Sequence, residues 1–251
     1  MEPLEKNRSF AKKGLKVVGM LAVAVFFMET VLLASGAVGN CSLRITNPDT
    51  SAFIRNFEIQ SRKKIRLRWK NLDEISRNLI KAVVVAEDAA FFEHIGFDLH
   101  EMKASLKTNW KKKKIARGGS TLTMQLVKNL YLSGDKSPLR KLNEIILALD
   151  LENKVPKERI LEVYLNIAEW GYGIYGADAA SRHYFGKAPG DLAPTEAAYL
   201  AALLPNPVYL SKKGTRRAER RQAIILRRMG RSLPPPPEAD QPPAEREGQP
   251  L

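Results

Sequence analysis

The sequence predicts a mainly α-helical protein with one N-terminal transmembrane helix. Three observations carry that expectation. Val17 to Val38 is an apolar run of 22 residues, which as a helix spans roughly 33 Å, about one bilayer core. Downstream, apolar residues recur at three- and four-residue intervals, as in Ile75, Leu79 and Val83. Serine, aspartate and proline stand where such stripes begin, and glycine or proline where they stop.

The 251 residues allow one good-sized domain plus appendages. Lys and Arg number 41 against 27 Asp and Glu, a net charge of +14 at pH 7. This excess implies an anionic partner: nucleic acid, a phospholipid surface or a phosphate-bearing substrate, and composition does not choose among them. Cys41 is the only cysteine, which excludes an internal disulfide and argues against a cysteine metal cluster. The three histidines, His94, His100 and His183, form no HxxxH pair, which disfavours zinc hydrolysis.

Residues 1–16 form a basic tail with Lys6, Arg8, Lys12, Lys13 and Lys16, while only Arg44 and Arg55 occur in the 17 residues after the span 17–38. That bias predicts a cytoplasmic N-terminus with the remainder outside. Ala34-Ser35-Gly36 offers the small residues of a cleaved signal peptide, but the apolar run is long for one, so an uncleaved anchor is the favoured reading. Glu29 interrupts the span, through a helix–helix contact or, more simply, exposure near its outer end. Residues 39–71 read as an extended connector with one or two short strands. Its run Arg62 to Lys70 carries six positive charges that would face anionic headgroups or a phosphorylated ligand.

Asp73 is the expected N-cap of the next helix. A short helix over 99–110 precedes four consecutive lysines, Lys111 to Lys114, and Ser120 is placed to cap a helix running to about Leu132. Pro138 stands at the first position of a helix ending near Asn153. Pro156 starts another, in which Ile160, Leu161, Tyr164, Leu165 and Ala168 share a face. Gly171, Gly173 and Gly176 break it, a helix resumes over 177–184, and Pro194 opens a last apolar helix to Leu204. Residues 213–232 form a basic helix, read either as a solvated surface element or as one lying on anionic lipid. On the second reading, deletion after Thr215 would weaken liposome binding and spare activity in detergent. The tail 233–251 is too proline-rich and polar to fold alone.

Lys81 to Asp98, KAVVVAEDAAFFEHIGFD, is the centre of the chain. Counting back in fours from Glu87 gives Val83, Leu79 and Ile75, so Glu87 ends an apolar stripe. A carboxylate there is costly unless paired, wet or functional, and desolvation raises its pKa toward the range of a general base. A solvent-facing helix end is the plainer alternative. In RGGSTLTMQLVKNLYL, Gln125, Lys128 and Asn129 fall on one helical face, a cation between two amides that suits an oxyanion as well as an ordinary polar surface. The free N–H groups of a helix starting near Ser120 add a phosphate-friendly feature. In LRKLNE, Arg140 and Lys141 lie four and three residues before Glu144, either a surface ion pair or a carboxylate held by cations beside a phosphate or metal.

Together and in order, EDAAFFEHIGFD, GGSTLTMQLVKN, RKLNE and RILEVYLNIAEWGYGIYGADAASRHYFGK resemble the bacterial peptidoglycan glycosyltransferases, which also occur as the N-terminal domain of bifunctional penicillin-binding proteins. The resemblance covers residues 72–210 or so, within an expected glycosyltransferase domain at 72–212, and is greatest to the monofunctional members. It implies a lysozyme-like fold and polymerisation of lipid II, with lipid II, the nascent glycan strand, the membrane and the cell-wall synthesis machinery as partners and no nucleic acid. It places the protein in the inner membrane as a single-pass protein with a periplasmic catalytic domain. Glu87 maps onto the family's catalytic base and Glu144 onto its second catalytic glutamate. Ser120, Thr121, Gln125, Lys128, Asn129, Arg140 and Lys141 map onto the substrate-binding blocks. A divalent metal, Mg²⁺ or Mn²⁺, is implied, with Glu144 and Asp88 as its expected ligands, and no organic cofactor. Met124 stands where the family usually has glutamine, and Ala89-Ala90 replaces a more polar pair. His94 is expected to orient the Glu87 loop by hydrogen bonding.

A peptidoglycan-cleaving glycosidase is the nearest rival, but it has no need of the cationic, amide-rich face. A basic membrane-anchored nucleic-acid binder lacks any recognisable binding motif. Ser61 to Lys64 and Ser133 to Lys136 match S-x-x-K, but no K-T-G follows, so transpeptidation is not expected.

Overall fold

Capping serines and prolines mark most helix starts in the chain. The computed structural model describes residues 26–98, 119–132, 137–211 and 215–230, with Val23, Lys103 and Lys107. Apart from those two lysines, the helix expected over 99–110 and the lysine run lie outside the described residues, as do Ser133 to Lys136 and the tail from 233.

Helix α1 (Phe26–Leu43) is long and apolar enough to cross a membrane, and Phe26, Phe27, Met28, Val31 and Val38 are exposed along it. Its opposite side docks on α5 (Pro138–Lys154). Asn40 is fully buried there and donates to the Leu147 carbonyl at 3.1 Å and to Asp150 Oδ2 at 2.9 Å. Asn143 of α5 donates to Glu29, so the interrupting glutamate makes a helix–helix contact, which replaces the simpler expectation of exposure.

A helix, α2 (Ala52–Ser61), stands where the sequence predicts extended connector. Ser51 caps it by accepting from the Ile54 amide at 3.1 Å, Ile54 is buried, and Phe57 packs edge-on against Tyr172 and Tyr175. Two apolar anchors three residues apart, among polar and β-branched neighbours, do not separate helix from strand. Asp73 falls in a 3₁₀ turn, Leu72–Glu74, and Ser76 caps α3 (Arg77–Glu87) by accepting from the Leu79 amide. Helix α4 (Leu122–Tyr131) starts one residue later than expected, with Thr121 as its cap.

Pro138 opens α5 behind the Ser137 cap, and Pro156 precedes α6 (Lys157–Ile167). A small antiparallel hairpin, β1 (Glu169–Gly171) and β2 (Ile174–Tyr175), occupies the glycine-rich break. At its turn Gly173 has φ +72°, and a Cβ there would lie 2.6 Å from the Phe57 ring, so the close approach requires glycine. Then follow α7 (Ala177–Phe185), α8 (Pro194–Leu203), α9 (Pro207–Leu210) and α10 (Arg216–Met229).

The fold is mainly α, as predicted. Leu79, Ala82 and Val83 of α3 join Leu126 and Val127 of α4, Leu161 and Leu165 of α6, and Ala197 to Leu203 of α8 in one core. Helix α8 packs against both α3 and α10, while α4 packs against α5 and α6. Ala218, Ile225 and Met229 bury one face of α10 in that core, so it is not a freely solvated surface helix, while Ile224 stays half exposed on its other side.

Candidate active site

The end of α3, one face of α4 and the first turns of α5 converge. Glu87 is the last residue of α3, and its side chain is only 9% exposed. Gln125 Nε2 donates to its Oε2 at 3.0 Å, and Arg221 Nη2 of α10 to its Oε1 at 2.5 Å. Tyr164 OH donates to Gln125 Oε1 at 3.0 Å, which turns the amide N–H toward Glu87. Burial pushes the Glu87 carboxyl above the usual carboxylate range, against the opposing pull of Arg221, Gln125 and Lys128. Burial also drives the Tyr164 phenol well above its ordinary value, so it remains a donor at neutral pH.

A second group lies at the start of α5. Glu144 is 3% exposed, and Arg140 Nη1 and Lys141 Nζ donate to its two oxygens at 2.5 and 2.6 Å. Lys141 also donates to Ser120 Oγ at 2.7 Å. Two cations around one buried carboxylate leave a net positive charge, which excludes the plain surface pair. Lys128 links the two groups electrostatically: burial lowers its pKa, and Glu144, Arg140, Lys141 and Glu87 all act on it. Among the described residues no carboxylate lies within ion-pair distance of Lys128; its ammonium stands 5.5 Å from the centre of the Phe53 ring. The arrangement is a buried carboxylate next to a cationic, amide-bearing line, able to accept a proton at one end and hold an oxyanion along the other.

Most sequence-predicted residues meet here. Thr121 turns its hydroxyl to backbone groups, accepting from the Met124 amide at 3.2 Å to cap α4 and donating to the Gly96 carbonyl at 2.6 Å. Asn129 is half-buried on α4 beside Lys128. His94 Nε2 lies 3.0 and 3.1 Å from the two oxygens of Asp88, the residue that follows Glu87. Asp88 also accepts from the Leu122 amide at 2.9 Å, which ties the end of α3 to the start of α4.

The carboxylates named for a divalent ion do not fit one. His94 and a helix N–H satisfy Asp88, two cations occupy Glu144, and among the described residues no three His, Cys, Asp or Glu side chains gather in a metal-holding group. Asp88 is a tether joining two helices. Glu144 is a counter-charge that spaces two cations.

The sequence reading missed Arg221 and the role of Tyr164. Arg221 lies three residues after Ala218 and four before Ile225, inside the buried stripe of α10, and a cation in an apolar stripe is a readable signal. Tyr164 shows only as one more member of the α6 packing face.

Residues 52–230 match the family described as Transglycosylase. The chain belongs to this family. Among relatives of this transglycosylase, the biosynthetic peptidoglycan transglycosylase of Thiobacillus denitrificans is 46% identical over 190 residues, 73% of this chain and 82% of the relative. The protein of the same description from Alcanivorax borkumensis is 44% identical over 232 residues, covering 88% and 94% of the two chains. That of Nitrosomonas eutropha is 40% identical over 216 residues, covering 84% and 86%. The match includes α2 and α10 of this transglycosylase, so the elements bearing Phe53 and Arg221 fall within the family's extent.

Proposed function

We propose that this peptidoglycan glycosyltransferase polymerises lipid II into β-1,4 glycan strands. The observation that carries the reading is the buried Glu87 carboxylate, held by Gln125 and set beside the cations Lys128, Arg140 and Lys141. The acceptor is the 4-hydroxyl of a terminal N-acetylglucosamine, and Glu87 takes its proton as the oxygen attacks the anomeric carbon of the growing chain. The new C–O bond forms as the bond to pyrophosphate breaks. The electron pair leaves on undecaprenyl pyrophosphate, and displacement inverts the anomeric centre. Lys128, Arg140 and Lys141 stabilise that leaving charge electrostatically. α1 anchors the enzyme in the inner membrane by a single pass, with the N-terminus cytoplasmic and the domain periplasmic.

A glycosidase needs a second carboxylate available for chemistry, and two cations engage Glu144. Transpeptidation finds no support at Ser61, whose hydroxyl accepts from the Lys63 amide while the exposed Lys64 pairs with Glu58.

The test is polymerisation of lipid II by the full-length protein in detergent, with products resolved as glycan chains. Glu87→Gln is expected to lower kcat by about 10²–10⁴-fold. Glu144→Gln is expected to lose less, since it perturbs the leaving-group cations and not proton transfer. Preformed glycan cut while lipid II is untouched would return the glycosidase reading.

A further inference from the structure

Helix α10 carries the only cation in contact with Glu87 among the described residues. Arg221 points inward from the stripe Ala218, Ile225, Met229, and its Nη2 donates to Glu87 Oε1 at 2.5 Å and to the Ala86 carbonyl at 3.3 Å. The guanidinium therefore sits at the negative end of α3 and on that helix's last side chain. The other groups facing Glu87 are the Gln125 amide and the Lys128 ammonium on α4, at longer range, and the Tyr164 phenol on α6. A carboxylate this buried is costly without a charged partner, and Arg221 supplies one from an element more than 130 residues away in sequence.

We propose that Arg221 is a positioning residue for the proton acceptor: it holds one oxygen of Glu87 as Gln125 holds the other, fixing an ionised carboxylate whose remaining lone pair meets the acceptor hydroxyl. This rests on the reading of Glu87 as the base. In the step, the hydroxyl proton passes to Glu87, its oxygen bonds the anomeric carbon, and the pyrophosphate leaves with the electron pair of the broken bond. Neutral Glu87 then leaves Arg221 without its ion pair. Release of the proton to water restores the pair and readies the base for the next addition. The C-terminal helix is thereby part of the reaction centre.

The experiment measures kcat and KM separately for full-length protein in detergent with lipid II. It compares the native enzyme with Arg221→Gln, Arg221→Lys and, as control, Arg227→Gln at an exposed position of the same helix. Arg221→Gln is expected to lower kcat by about 10²-fold, with KM changed by no more than about threefold. Arg221→Lys keeps the charge but not the fork, and is expected to recover about tenfold of that loss. The control should match the native enzyme. Native kcat in Arg221→Gln overturns the role, and so does a loss that lysine does not relieve in an equally stable protein. Should Arg221→Gln fail to fold, Arg221→Lys carries the test: reduced kcat at native KM supports the role, and native kcat overturns it. A native protein inert toward lipid II overturns the proposed function itself, before any Arg221 variant is compared.

Discussion

Glu87 and Glu144 are both buried carboxylates, and their neighbours give them different roles. Glu87 has one contacting cation and one amide, and burial holds its carboxyl above the usual range. A base works ionised, so kcat/KM should fall on the acid side through a pKa above the ordinary glutamate value of about 4.3. The sign for stability follows from the same shift. A folded-state pKa above the unfolded one favours the fold below the unfolded value, and that contribution is lost as pH rises through the folded pKa. Thermal melts of native protein and Glu87→Gln across that range should differ in slope, because glutamine cannot take up the proton. Among the described residues Lys128 has no carboxylate in ion-pair contact, so on the proposed mechanism its charge is the most available to the leaving pyrophosphate. Lys128→Met should lower kcat by about 10²–10³-fold, read in the same polymerisation assay. Glu87 and Lys128 were legible as residue types in a helical pattern. Their sharing of one site was not, since Glu87 and Gln125 are 38 positions apart.

At the scale of elements, α1 is docked to the domain. Glu29, Gly36, Gly39 and Asn40 recur along one side of α1, and a Cβ on Gly36 would come within 2.7 Å of Leu147. With Asn40 fully buried and doubly bonded to α5, the helix bearing Arg140, Lys141 and Glu144 is fixed relative to α1. Leu139, Leu142 and Ile146 of α5 are exposed, extending the apolar surface that α1 begins. Asn40→Leu should cost about 1–3 kcal/mol by removing a buried donor. A lower melting temperature in detergent, with membrane retention unchanged, is the expected result. The sequence marked Glu29 as an interruption, but its partner on α5 is 114 residues away.

For the molecule as a whole, the C-terminal helix decides where the domain ends. Its composition reads as surface, with arginines on most turns, yet Ala218, Ile225 and Met229 are buried against the core and Arg221 reaches Glu87. Deletion after Thr215 is therefore expected to abolish polymerisation in detergent as well as on vesicles, and to lower the melting temperature. Ile225→Ala alone should cost about 2–5 kcal/mol, measurable by denaturant unfolding. Retention of full activity in detergent by the deleted protein would return α10 to the surface role its composition implies.

By itself the sequence determined the helical class, an N-terminal helix long and apolar enough to cross a membrane, most helix starts, and the blocks that carry Glu87, Gln125, Lys128, Arg140, Lys141 and Glu144. These are written in periodicity, caps and short ordered blocks, which depend on neighbours within a few turns. Only the tertiary structure decided that Asp88 ties two helices, that Glu144 is engaged by its own cations, that α1 is docked, and that Arg221 faces Glu87. Each of these depends on which groups burial brings within hydrogen-bonding distance across the fold, and a buried charge must find its partner wherever the packing places one.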